Sequence, residues 1–170
     1  MKVLIVSDTH GRGADYSKLI RKIAPMDLVI HCGDLEGQEH EIEAVTRQVC
    51  GCPAVMVAGN NDFFSSLKNE VTLELEGHKI LVTHGHSYYV SMGPEFIRQE
   101  AKARGYDMVF YGHTHKPLLD QTDPEITLLN PGSLCYPRQE GRLPSYAVMT
   151  IEPDGYTHFS ICYIDRDFYG

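Results

Sequence analysis

The chain has 170 residues, 42% hydrophobic and 22% charged, enough for one well-buried core over residues 1–170 and too short for two comfortable domains. Its formal charge of −8 excludes nonspecific binding to nucleic acid or to an acidic membrane, because both need clustered Lys and Arg. Five cysteines, odd in number and outside secretory spacing, an amino terminus without a cleavage signal, and apolar runs well below the roughly 20 residues that span a bilayer predict a cytoplasmic protein.

Met1 to Val6 is an apolar, β-branched run that stops at Ser7-Asp8-Thr9-His10. It predicts a buried parallel strand delivering Asp8 and His10 to the carboxyl edge of a sheet. After the turn Gly11-Arg12-Gly13, residues Asp15 to Ala24 place Leu19, Ile20 and Ile23 on one helical face, and Pro25 ends the helix. Asp27 to Cys32 is a second strand that runs into Gly33-Asp34. A helix over Glu39 to Val49 leads to a third strand, Pro53 to Ala58, that ends in Gly59-Asn60-Asn61-Asp62. Strand, helix, strand, helix, strand with polar residues at each carboxyl end predicts a parallel βαβαβ unit.

The pattern then changes. Val71 to Glu76 and Lys79 to Thr83 alternate around Gly77-His78, predicting a hairpin whose second strand enters His84-Gly85-His86. Pro94 opens a helix to about Arg104, and Asp107 to Tyr111 is a strand that ends in Gly112-His113-Thr114-His115. From Pro117 onward come short strands, among them Ser145 to Ile151 and Tyr156 to Ile164, which predict a second sheet packed on the first.

Asp8, His10, Asp34, Asn60, His84, His113 and His115 thus stand at predicted strand ends. Turns have no reason to draw four histidines and two acids to one sheet edge. Seven oxygen and nitrogen donors suit two adjacent divalent ions that share one carboxylate. Asp34, an acid without a neighbouring histidine, is the natural bridge. The remaining histidines read differently: His40, His78 and His158 as surface residues, His31 as a satisfied core histidine. Cys50-Gly51-Cys52 is too isolated for a zinc knot or a redox pair.

Asp8-x-His10, Gly33-Asp34, Gly59-Asn60, Thr83-His84-Gly85 and Gly112-His113-Thr114-His115, in that order, resemble the calcineurin-like metallophosphoesterase superfamily. Gly59-Asn60-Asn61-Asp62 and Asn130-Pro131-Gly132-Ser133 resemble its compact prokaryotic phosphodiesterase group. The resemblance runs from Met1 to about Arg138. It implies an α/β fold, a two-sheet β-sandwich flanked by helices in αββα layers, with a binuclear centre of manganese, nickel, iron or zinc. It also implies that Asp8, His10, Asp34 and His115 hold one ion and Asp34, Asn60, His84 and His113 the other. A hydroxide bridging the two metals would attack phosphorus in line with the leaving group. Manganese is the expected ion, and acids or carbonyls behind the histidines, Asp62 among the candidates, should fix their tautomers.

One departure bears on catalysis. Many members carry a histidine after the metal-binding asparagine, where it protonates the leaving group or steadies the transition state; here that position is Asn61, which cannot act as an acid. His86 or His31 is then the candidate proton source. The expected substrate is a small phosphodiester, nucleotide-derived in one version, and activated aryl esters should turn over better than alkyl ones. Arg12, Arg138 and Ser87-Tyr88-Tyr89 are candidate phosphate or base contacts. The competing readings are a phosphoesterase-fold scaffold, as in the retromer coat, and a phosphomonoesterase; a homo-oligomer is compatible with each.

Overall fold

A computed structural model describes residues 1–169. Ten strands and three helices follow in the order β1 (Lys2–Val6), α1 (Gly13–Ile23), β2 (Leu28–His31), α2 (Glu39–Cys50), β3 (Ala54–Met56), β4 (Glu70–Leu75), β5 (His78–Thr83), α3 (Glu95–Ala103), β6 (Met108–Phe110), β7 (Pro117–Asp120), β8 (Thr127–Pro131), β9 (Ser145–Ile151) and β10 (Thr157–Tyr163). Two 3-10 turns, His86–Tyr88 and Val90–Met92, lie between β5 and α3.

The strands form two sheets of five, ordered β10-β9-β1-β2-β3 and β4-β5-β6-β8-β7. Side-chain parity explains the layers, since alternate residues of a strand face opposite sides. In β1, Val3 and Ile5 join Leu28, Ile30, Ile80, Val82, Phe110 and Leu129 in the core between the sheets. Leu4 and Val6 point the other way, onto Tyr16, Leu19 and Ile20 of α1 and Ile42 and Val45 of α2. In the second sheet Leu81, Val109 and Leu128 turn outward to Ile97 and Ala101 of α3. The expected αββα layering is therefore the architecture. No described helix is long and apolar enough to cross a membrane.

Two expectations are corrected. The terminal strands do not build the second sheet: β9 pairs antiparallel with β1, and β10 with β9, extending the first. β9 is buried on both faces along most of its length, so it needs an interior position, which the free side of β1 supplies. The second sheet comes from residues 70–131. His78 is also not a loose turn residue. The turn is Glu76-Gly77, both at positive φ (48° and 88°) as a two-residue hairpin turn requires, and His78 opens β5 with Nδ1 2.8 Å from Asp107 Oδ2 and Nε2 2.8 Å from the Gly155 carbonyl.

β1, β2 and β3 run parallel, as do β5, β6 and β8. Their carboxyl ends open on one side of the molecule, where open parallel sheets place their sites.

Candidate metal centre

Each candidate donor follows one of those strand ends by one to five residues: Asp8 and His10 after β1, Asp34 after β2, Asn60 after β3, His84 after β5, His113 and His115 after β6. The loops are laced together by backbone bonds, Asp8 N–H to the Gly33 carbonyl at 3.0 Å, His10 N–H to Asp34 at 2.9 Å and Gly112 N–H to His84 at 3.1 Å. Asp8, His10, Asp34, His113 and His115 all have φ between 44° and 68°. That left-handed conformation costs a non-glycine residue about 1–2 kcal/mol. Five such residues at one edge mark a site whose geometry outweighs local preference.

The four rings and two carboxylates meet. His10 Nε2 and His115 Nε2 are 3.2 Å apart, and Asp34 Oδ2 lies 3.7 Å from His10 Nε2 and 3.4 Å from His84 Nε2. Donor atoms of Asp8, His10, Asp34 and His115 all fall within 4.8 Å of one another. Asn60 Oδ1 sits 3.1 Å from His84 Nε2 and 2.9 Å from His113 Nδ1.

The tautomers show what these atoms can accept. His115 Nδ1 faces the Tyr136 carbonyl at 2.7 Å and His84 Nδ1 faces the Cys32 carbonyl at 2.7 Å, so both nitrogens must donate. His10 Nδ1 donates to Glu36 Oε1 at 2.7 Å. With those protons committed, the Nε2 atoms of neutral His10, His84 and His115 present lone pairs, and two lone pairs 3.2 Å apart repel unless a positive charge lies between them. Asp8 Oδ1 is buried and has no hydrogen-bond partner, for its 3.1 Å approach to His115 Nε2 lacks hydrogen-bond alignment. Aligned lone pairs and an orphaned buried carboxylate oxygen are the donor chemistry of a divalent cation, and these residues fit one.

The electrostatics agree. Burial works against ionising Asp8, but His10 and His115 outweigh it and hold the carboxyl far below its usual range. Burial likewise opposes charging His10, yet Asp8 and Glu36 raise it to about 9. Asp34 drops to about 2, against the effect of burial, through His84 and the bonds from Asn61. A proton on His10 is thus favoured beside the two carboxylates.

His31 is buried, accepts from the Gly33 N–H at Nδ1 (3.2 Å) and donates from Nε2 to Thr9 Oγ1 (3.0 Å). Burial lowers its pKa to about 3. It is the satisfied core histidine expected, and it is too committed to be a proton source. Asn61 donates its backbone N–H and its amide to the two oxygens of Asp34, at 2.9 and 2.7 Å. His86 is half-buried beside His84 and His113, ring centroids 5.5 and 6.1 Å away, with a buried, unpartnered Nδ1. Arg12 pairs with Asp15 at 3.1 Å on the surface, and Tyr88 donates to Glu70.

Several residues support the donors from behind, Asp62, Asn130 and Ser133 from within the quoted motifs and Glu36 from outside them. Asp62 accepts three backbone N–H groups, from Asp34 (2.9 Å), Gly59 (2.7 Å) and Glu36 (2.6 Å), and so ties two metal-site loops together. Asn130 donates to the Gly112 carbonyl and Thr114 Oγ1, and Ser133 Oγ donates to the Asp8 carbonyl. The segment Asn130-Pro131-Gly132-Ser133 thus braces the His113 and Asp8 loops. Glu36, the partner of His10, lies in a polar turn with nothing in the sequence around it to single it out.

Residues 1–154 match the calcineurin-like phosphoesterase superfamily domain. The chain is 35% identical over 158 residues to the probable metallophosphoesterase YsnB of Bacillus subtilis, covering 92% of this chain and 88% of that one. It is 28% identical over 153 residues to the phosphodiesterase MJ0936 of Methanocaldococcus jannaschii, covering 79% and 85%. A crystal structure from Streptococcus pneumoniae TIGR4, of a protein predicted to be a phosphoesterase, superposes with a TM-score of 0.77 at 27% identity over 98% of this chain and 90% of that chain. Zinc-bound Vps29 from Entamoeba histolytica shares the fold, with a TM-score of 0.72 at 21% identity over 96% and 99%. With residues 1–154 matched by that domain and a 35% identical relative covered over 88% of its length, the chain belongs to the calcineurin-like phosphoesterase superfamily.

Proposed function

We propose that the protein is a metal-dependent phosphodiesterase working with two divalent ions. The observation that carries this reading is the set of histidine lone pairs aimed at one another and at Asp8 and Asp34. Asp8, His10, Asp34 and His115 would hold one ion, and Asp34, Asn60, His84 and His113 the other, with Asp34 shared. Ions held by these residues would supply Lewis acidity toward a phosphoryl oxygen and a water of lowered pKa. Manganese is the ion we favour, and the five free thiols suit a cytoplasmic setting.

The chain's own residues do the rest. Glu36 and the Tyr136 and Cys32 carbonyls fix which ring nitrogens face inward, and Asp62 and Ser133 hold the backbones of Asp34 and Asp8. Asn61 holds the Asp34 carboxylate by two bonds and has no proton to lend as an acid. We assign leaving-group protonation to His86, which stands beside His84 and His113 with its Nδ1 unpartnered. Phe63 and Phe64, 79% and 103% exposed, line a cleft of about 510 Å³ with Asn61 and offer an aromatic surface to a base or aryl group.

The test is hydrolysis of an aryl phosphodiester beside the matching monoester by metal-stripped protein reconstituted in turn with manganese, nickel and zinc. Metal-dependent diester cleavage that Asp34→Asn abolishes is the expected result. Asn61 favours one second reading, a phosphoesterase-fold scaffold with little turnover; two bound metals with neither ester cleaved would establish it.

A further inference from the structure

A second cleft, of about 470 Å³, opens against the same centre and is lined by His10, His115, Tyr136, Pro137, Arg138 and Arg142. Its chemistry is opposite to that of the Phe63 cleft, which Glu36 and Glu39 make acidic. Among the described residues, Arg12, Arg47, Arg98 and Arg104 each pair with a carboxylate, whereas Arg138 and Arg142, like Arg21 and Arg166, pair with none, and of these four it is Arg138 and Arg142 that line a cleft with His10 and His115. Two uncommitted guanidinium groups beside the candidate metal ligands are notable in a chain of net charge −8.

Their backbones are held. The Arg138 N–H donates to the His115 carbonyl at 3.0 Å, two residues after the Tyr136 carbonyl that receives the His115 ring proton. Arg142 N–H donates to the Gln139 carbonyl at 3.1 Å, and Gln139 Nε2 closes the turn on the Leu143 carbonyl. The two arginines thus belong to a closed loop strapped to a metal-site histidine. A planar, permanently charged fork that bonds two oxygens at once is the group suited to a phosphate. The scissile phosphoryl group is the concern of the metal ligands, which leaves this pair for a different anion.

We infer that Arg138 and Arg142 form a subsite for a second phosphate, so that the substrates are phosphoesters carrying a further phosphoryl group next to the scissile one. The inference rests on the phosphoesterase reading for which phosphate is cleaved, and adds what else the substrate carries. The acidic cleft on the other side disfavours a second anion there, so the pair also fixes the direction in which the ester lies across the centre.

The experiment measures binding, by titration calorimetry on the metal-loaded protein, of thymidine 3′,5′-bisphosphate and thymidine 5′-monophosphate. Wild type should bind the bisphosphate about tenfold more tightly or better, a preference that narrows as salt is raised. In the exposed double variant Arg138→Gln/Arg142→Gln the two affinities should come within about twofold, and Arg138→Lys/Arg142→Lys should keep part of the preference. Equal binding of both compounds by wild type, or a preference that survives the glutamine variant, overturns the subsite. Cleavage of bis(p-nitrophenyl) phosphate is read in parallel: a bisphosphate preference without ester turnover upholds the subsite and sinks the diesterase reading alone.

Discussion

Asp62 offers the sharpest perturbation, because one carboxylate receives three backbone N–H groups from two loops that meet at the candidate centre. Asp62→Ala leaves all three donors without a partner. An unsatisfied buried donor costs about 1–3 kcal/mol. The Asp34 N–H is buried and bears the larger figure, while those of Glu36 and Gly59 are partly buried and regain water, so the total is about 3–5 kcal/mol. For a chain of this length about 2–4 °C of Tm follows each kcal/mol, giving a fall of about 10 °C. The loss is not confined to stability. Asp34 is the shared acid of the proposed pair, and freeing its backbone should weaken metal binding about 10-fold to 100-fold. Asp62→Asn, which keeps one acceptor oxygen, should fall between. The assays are calorimetric melting of the metal-free protein and manganese titration of each variant. A Tm within about 2 °C of wild type with unchanged metal affinity would refute the bracing role.

Three further predictions follow from equally local features. Gly112 has no room for a side chain: a Cβ there would overlap Ser7 Oγ and crowd Asp8 Oδ2, so Gly112→Ala should displace Asp8 and lower metal affinity while leaving most of the fold's secondary structure, read by circular dichroism beside metal titration. His78 has an acceptor at each ring nitrogen, and although burial opposes its charge, the Gly155 carbonyl and Asp107 raise its pKa above the ordinary value of 6.5. A raised folded pKa contributes stability fully present below about pH 6.5 and lost as pH climbs through the folded value. Wild type should therefore exceed His78→Asn in Tm by more at pH 6 than at pH 9, and an equal gap at both would contradict the pairing. Asn61→His should raise aryl diester turnover by restoring an acid near the leaving group, most of all for poor leaving groups; no gain, or a loss, would show that the bonds from Asn61 to Asp34 matter more than a proton there.

The sequence made the donors legible because each closes a hydrophobic strand, and a strand buried on both faces is the plainest pattern a chain can carry. Val3 to Val6, Leu28 to His31 and Met108 to Phe110 are such runs, and the polar residues after them had one edge to occupy. The partners of those donors were less legible. Glu36 and Asp62 act through a loop–loop contact, and the Tyr136 and Cys32 carbonyls act through backbone, which every residue has. The terminal hairpin was placed in the wrong sheet because strand order is set by which sheet has a free buried edge, and that is a property of the assembled core. The role of His78 is hidden for a related reason: a one-residue shift of the turn makes it a strand residue, and its acceptors Asp107 and Gly155 are remote in sequence. His31 is legible as a core residue, since a histidine inside an apolar strand is satisfied by bonding locally, as it does to Gly33 and Thr9.

The central claim is that the converging lone pairs hold two cations sharing Asp34. Metal stoichiometry tests it most directly: stripped protein is saturated with manganese, freed of excess by gel filtration and analysed by plasma emission, for wild type and for Asp34→Asn. Two ions per chain are expected in wild type and at most one in the variant. One ion per chain in wild type, or two retained without the Asp34 carboxylate, would contradict it.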